Sequence, residues 1–129
     1  MIHLDTSVLV DALTGQQRSA GALRAAIAGG ERVLLSAIVL YEWLRGSRIE
    51  PELAMQAALF PSASTIAFGP EEARRAADLY RRIARGRGRD LDLAVAACAL
   101  VHEARLWTLN RADFADIPNL ELYEPGGGQ

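Results

Sequence analysis

The chain has 129 residues, half of them hydrophobic, and a formal net charge of −2. That length suits one domain with one real core, and no stretch approaches eighteen consecutive apolar residues, so no membrane span is indicated. The charge sum argues against a nucleic-acid partner, but the distribution leaves one open: all fourteen basic residues are arginine, and six fall from Arg74 to Arg87, as phosphate contacts or as plain solvated helix faces.

Met1 to Asp5 reads as a short buried strand, with Thr6 or Ser7 placed to cap a helix through about Thr14. The first residues lack a basic stretch and carry Asp5 and Asp11 where an apolar signal core would lie, which argues against a signal peptide. After a polar break, Ser19 to Ala28 is a helix closed by Gly29-Gly30. Val33 to Ser36 is a second strand, and Ser36 can cap a helix from Ala37 to about Arg45. Glu50-Pro51-Glu52 starts another helix with proline in its first turn, ending near Pro61. Ser64 to Phe68 reads as a third strand.

Gly69-Pro70-Glu71-Glu72 opens a helix whose stripe of Ala73, Ala76, Tyr80 and Ile83 runs through Ala84. Gly86 to Arg89 is a basic, glycine-rich loop. A helix from about Asp90 to Ala104 precedes a strand from Leu106 to Leu109, a turn or short helix over 112–117 and a last strand from Leu120 to Leu122. Residues 1–124 make one domain, and 125–129 read as a flexible C-terminal tail. Cys98 sits in a helical apolar run with no second cysteine to pair with, so it reads as a small core residue in a reduced, cytoplasmic setting.

Strands alternating with helices imply a parallel sheet with helices on both faces, and in such sheets the ligand site lies beyond the carboxyl ends of the strands. Four acids gather at that edge or beside it. Asp5 ends the first strand, Glu42 lies on the helix after the second, Asp92 opens the long apolar helix, and Asp113 follows the strand at 106–109. A carboxylate taken out of water without a partner is costly or becomes protonated. A hard divalent cation, Mg²⁺ or Mn²⁺, compensates several carboxylates at once.

Each acid also has a plainer reading. Glu42 lies on a helix that is apolar all round, so it is either ion-paired, with Arg45 at i+3 for example, or functional. Asp92 in a first helical turn is favoured by the macrodipole, and periodicity does not separate it from Asp90. Asp5 is a possible N-cap, and Asp113 an ordinary loop residue.

The segments Leu4-Asp5-Thr6-Ser7, Asp92-Leu93-Ala94-Val95-Ala96-Ala97 and Thr108-Leu109-Asn110-Arg111-Ala112-Asp113-Phe114, together with Glu42, resemble the PIN-domain ribonucleases. The likeness is greatest to the VapC-type toxins of bacterial and archaeal toxin–antitoxin pairs, and it covers nearly the whole chain in order. It matches Asp92 rather than Asp90. It implies a PIN-like, Rossmann-like, three-layer α/β/α fold with a short central parallel sheet. It also implies an endoribonuclease dependent on Mg²⁺ or Mn²⁺, a small cognate antitoxin and a homodimer.

Under that resemblance Asp5, Glu42, Asp92 and Asp113 are the catalytic, metal-holding set, and Thr6, Ser7, Thr108 and Asn110 are secondary polar residues. Asn110 stands where many PIN domains have another strand-end aspartate, which leaves one or two metals open. Arg85, Arg87 and Arg89 are candidates to hold the RNA backbone, because the planar guanidinium fork suits phosphate. Leu9, Val10, Leu13, Tyr41, Trp43 and Leu44 offer lining for an apolar antitoxin groove, with ordinary core packing the favoured reading for any one of them.

Two rivals fall away on residues. A phosphatase with an aspartyl nucleophile needs a second acid where Ser7 stands, and a phospho-acceptor domain needs a lysine, which the chain lacks. A third stays open: a catalytically weak binding module of the same fold that acts with an antitoxin on operator DNA.

Overall fold

A computed structural model of the protein describes residues 1–126. The expected tail therefore lies partly outside the described residues, at Gly127, Gly128 and Gln129. Three short parallel strands form the sheet: β1 (Ile2–Leu4), β2 (Val33–Leu34) and β3 (Arg105–Trp107), in the order β2-β1-β3. Ile2 pairs with Val33 on one side and Arg105 on the other, which puts β1 in the centre. Because all three strands run the same way, their carboxyl ends share one edge.

Among the described residues six α-helices accompany the sheet: α1 (Thr6–Leu13), α2 (Ala20–Ala28), α3 (Ala37–Arg45), α4 (Glu50–Leu59), α5 (Pro70–Arg82) and α6 (Asp90–Val101). Among the described residues none is long and apolar enough to cross a membrane. Helix α6 is buried along seven consecutive residues, Leu93 to Ala99, and packs on β1, β3, α3 and α5. Its alanines explain how one helix can touch so many elements, since a methyl side chain lets neighbouring backbones approach closely. Helix α1 packs against α2, α3 and α4. The core joins Ile2 and Leu4 of β1 to Leu106 and Trp107 of β3, with Leu93, Val95, Trp43 and Phe114 around them.

The differences from the sequence reading have local causes. Ser64 to Phe68 does not form a strand. A one-turn 3₁₀ helix covers Ser62–Ser64, α5 begins at Pro70, and between them only Ile66 bridges to Ser36. The Leu120–Leu122 strand is likewise one bridge, Leu122 to Leu106. Helix α5 stops at Arg82 because Ile83 is extended, and α6 stops at Val101, with Glu103 turning left-handed at φ 55°. At the start of α1 the N-cap is Asp5, not Thr6 or Ser7, and its side chain makes no capping bond. That carboxylate is engaged elsewhere.

Candidate functional site

Asp5 leaves β1 at the carboxyl edge, 6% exposed, with its backbone N–H still bonded to the Trp107 carbonyl of β3 at 2.9 Å. Two hydroxyls serve its side chain. Ser7 Oγ donates to Asp5 Oδ2 at 2.8 Å, and Thr108 Oγ1 donates to the same oxygen at 2.7 Å. The lone pairs of those hydroxyls are in turn taken by backbone groups: Leu109 N–H donates to Ser7 Oγ at 3.0 Å, and Asn110 N–H to Thr108 Oγ1 at 2.9 Å. Each hydroxyl has one proton, and the backbone bonds fix both as donors toward Asp5. Among the described residues no hydrogen-bond donor reaches Oδ1, so Asp5 is held by one oxygen and presents the other.

Glu42 comes from the second turn of α3, where Ser36 Oγ accepts the Val39 N–H as N-cap. Thr6 Oγ1 donates to Glu42 Oε1 at 2.8 Å, which links the starts of α1 and α3. Arg45 approaches Glu42 Oε2 at 3.6 Å, so Glu42 does have the i+3 ion pair that the plainer reading supposed. The pair is loose and Arg45 is half exposed, a situation in which screening leaves little net stabilisation.

Asp92 occupies the first turn of α6 and connects the set electrostatically. Its carboxyl is raised above the ordinary aspartate range, first by burial and then by the negative charges of Asp5, Asp113 and Glu42, with Arg89 opposing. Asp92 therefore lies within electrostatic reach of the other three acids at this edge. Asp90, two residues earlier, lines a different groove between α5 and α6 with Phe68, Tyr80 and Leu93. The structure separates two aspartates that periodicity could not.

Asp113 ends a one-turn 3₁₀ helix (Arg111–Asp113) and is exposed, anchored by the buried Phe114 beside it. Asn110 is exposed, and its main chain, not its side chain, joins the network through Thr108.

Does this edge suit a divalent cation? Among the described residues no three Asp, Glu, His or Cys side chains converge into a ready-made metal-holding group. The donor chemistry nevertheless fits a hard ion: Asp92 is pushed toward protonation by burial and by the charges of three other carboxylates, and among the described residues one Asp5 oxygen has no donor. Cys98 and the histidines do not contribute. Cys98 is fully buried with its thiol pushed up to about 11, and His3 is fully buried and held near 4 by desolvation and the neighbouring His102. His102 Nε2 lies 2.9 Å from Glu72 Oε2, away from the acids.

The three arginines divide. Arg85 and Arg87 are exposed in the α5–α6 loop, whereas Arg89 is bound within the protein by two bonds to Asp116, at 2.8 and 2.9 Å. Asp116 was not singled out by sequence reasoning, and no local pattern marks it, because its partner lies 27 positions away.

Of the six residues offered as groove lining, only Leu13 lines an apolar groove in the structure. Leu9 of α1 and Trp43 of α3 are fully buried core residues, and the two helices pack on one another. The groove, about 180 Å³, runs between α1, α2 and α4 and is lined by Leu13, Leu23, Ile27, Met55 and Leu59. Tyr41 and Leu44, each more than half exposed, add apolar surface on α3.

A parallel α/β sheet with four acids at its carboxyl edge is the arrangement of the PIN domain, and the family model for that domain matches residues 2–120. The chain belongs to the PIN domain family. Ribonuclease VapC19 of Mycobacterium tuberculosis is 36% identical over 121 residues, spanning 92% of this chain and 95% of its own. The fold is shared with a toxin–antitoxin complex from Klebsiella pneumoniae, at TM-score 0.75 and 26% identity, covering 97% of this chain and 98% of that one. It is shared too with DNA-bound VapBC of Salmonella typhimurium, at TM-score 0.79 and 19% identity, covering 95% and 96%.

Proposed function

We propose that this chain is an endoribonuclease of the VapC type, the toxin of a toxin–antitoxin pair, with Asp5, Glu42, Asp92 and Asp113 as its catalytic carboxylates. The observation that carries the reading is Asp92, buried and within electrostatic reach of Asp5, Asp113 and Glu42 at the carboxyl edge of the sheet, in a chain 36% identical to a VapC ribonuclease. Mg²⁺, with Mn²⁺ as substitute, is the cation this donor set suits, held by the same four residues. When bound it lowers the pKa of a water and neutralises charge on the scissile phosphate.

The remaining roles belong to the chain itself. Ser7 and Thr108 hold Asp5 by one oxygen and leave the other facing the site. Thr6 fixes Glu42. Asp92, crowded by the charges of Asp5, Asp113 and Glu42, belongs to a negative edge to which positive charge is drawn. Asn110 orients a water or a phosphate oxygen at the rim. Arg85 and Arg87 supply exposed guanidinium groups for the phosphates of single-stranded RNA on either side of the scissile bond.

The antitoxin seats apolar side chains in the groove between α1, α2 and α4 and brings positive charge toward the acids, which silences the toxin. The toxin acts in the cytoplasm as a homodimer.

The test is RNA cleavage by antitoxin-free protein with Mg²⁺, with Mn²⁺ and with EDTA, beside Asp5→Asn. Cleavage that needs the metal and disappears in the variant supports the reading. A folded protein that binds metal but cuts none of a varied set of structured RNAs would favour the binding module acting with its antitoxin on DNA.

A further inference from the structure

Asp113 is the least supported of the four acids: it is exposed, sits in a single 3₁₀ turn, and makes no side-chain hydrogen bond or ion pair among the described residues. Its main chain is gripped from outside. Arg89 Nη2 donates to the Asp113 carbonyl, while Nη1 and Nη2 donate to Oδ2 and Oδ1 of Asp116. One guanidinium therefore brackets the turn at two positions three residues apart. Arg89 is also the N-cap residue of α6, and its carbonyl accepts the Leu93 N–H at 2.9 Å, so the clamp is rooted one turn from Asp92.

An isolated surface ion pair would merit little notice, since solvent and salt screen most of its attraction. Three features set this one apart. The Arg89 side chain is only 20% exposed, the contact with Asp116 is bidentate, and a third bond goes to the backbone of the acid itself.

We propose that Arg89 is a positioning residue of the acidic site, its guanidinium tying the turn that carries Asp113 to the helix start that carries Asp92, so that a cation meets the two carboxylates already juxtaposed. This rests on the nuclease reading above for what the carboxylates hold. It also separates Arg89 from Arg85 and Arg87, whose guanidinium groups face solvent. Phe114 and Ile117 fasten the same turn to the core through apolar contact, but they fix the backbone behind Asp113. Arg89 fixes the peptide of Asp113 itself.

The decisive variant is Asp116→Asn. It leaves the four acids and the charge of Arg89 in place and weakens only the clamp, on an exposed residue whose loss does not threaten folding. Arg89→Lys, Arg89→Gln and the double variant Arg89→Gln/Asp116→Asn complete the set. Two readouts are needed on the full chain: Mn²⁺ binding by calorimetry, and amide exchange of residues 111–117 in metal-free protein.

Asp116→Asn should weaken Mn²⁺ binding about tenfold, the scale on which outer supports of metal ligands act. Exchange should quicken in 111–117 and not in α6 beyond its first turn. Arg89→Lys should resemble Arg89→Gln, because charge without the fork cannot bracket the turn. The double variant should be no worse than the poorer single one, as expected of two residues in one device. Cleavage at saturating Mn²⁺ should recover most of its rate.

Unchanged Mn²⁺ binding and unchanged exchange in Asp116→Asn would overturn the proposal and leave an ordinary ion pair. Weaker RNA capture in Arg89→Gln with Mn²⁺ binding intact would also overturn it, in favour of phosphate contact. A wild-type chain that binds no Mn²⁺ would sink the nuclease reading instead. The exchange data would then judge the clamp alone, with unaltered 111–117 exchange refuting it and faster exchange upholding it.

Discussion

Asp5 and Asp113 belong to one acidic edge but are held by unlike means. Asp5 is buried at the end of the central strand, with two hydroxyl donors whose own lone pairs are occupied by backbone N–H groups. Asp113 is exposed on a single turn, fixed by a core anchor behind it and an arginine across the gap. The buried acid is placed by the sheet, so its geometry is set once the strands pair. The exposed acid is placed by a loop, so its geometry depends on contacts that form only when distant segments have come together. One site thus combines a rigid half and an adjustable half.

The largest expected effect tests that contrast directly. Asp5→Asn should lower metal-dependent cleavage by about a thousandfold, the upper range for loss of one preorganised electrostatic group. Asp113→Asn should cost about tenfold, because a solvent-exposed carboxylate is screened and water can take part of its place. Single-turnover cleavage of one RNA at several Mn²⁺ concentrations measures both. Equal losses would break the distinction between the two halves.

How far the sequence disclosed this site follows the same division. Asp5, Glu42 and Asp92 could be read because each interrupts or ends an apolar segment, and hydrophobic patterning is the signal that folding obeys most closely. Strand β1, the long helix α6 and the Ser36 cap of α3 were legible for that reason. What was hidden depends on long-range pairing. Whether Ser64–Phe68 becomes a strand or a single bridge is decided by how much chain the flanking turn and Pro70 leave free. That Arg89 would be bound to Asp116 is decided by where α6 begins relative to the 111–117 turn. The core positions of Leu9 and Trp43 required knowing which faces of α1 and α3 meet. A helix that is apolar all round does not announce its inner side.

The rigid half carries its own liability at His3, two residues before Asp5. Both ring nitrogens are buried without a hydrogen-bond partner among the described residues, and desolvation first, then His102, holds the imidazole near 4 against an ordinary 6.5. The folded value lies below the unfolded one, so the unfolded chain binds the extra proton. The stability tied to keeping His3 neutral is whole above about pH 6.5 and is lost as pH falls through 4. The shift amounts to about 3 kcal/mol by pH 4. His3→Leu removes that proton and the unpaired ring N–H together. Urea unfolding at pH 7 and pH 4 should show a smaller acid loss in the variant than in the parent, by about that amount. Equal acid losses would mean that the strand admits water or a partner to His3, and the rigid half would then be less sealed than its burial indicates.

The smallest expected effect lies on the adjustable side, where Arg85 and Arg87 face solvent beside a clamp that does not. If they hold RNA phosphates, each contact displaces condensed counterions, and the affinity of a single-stranded RNA should fall with salt by ~0.7 logarithmic unit per contact. The double variant Arg85→Gln/Arg87→Gln should therefore flatten the slope of log affinity against log salt by about 1.4. Cleavage-dead Asp5→Asn protein is the background for such a binding titration, because the RNA stays intact throughout. Mn²⁺ binding should be untouched by the two substitutions, in contrast to Asp116→Asn, which alters metal binding and leaves the salt slope as it was. Opposite signatures from arginine contacts so few residues apart would show that this loop does two jobs: its tip attracts the substrate, and its base fixes the acid. A salt slope that does not move would assign the tip arginines to the solvated surface, and the RNA would then be held by the acidic edge and its cation alone.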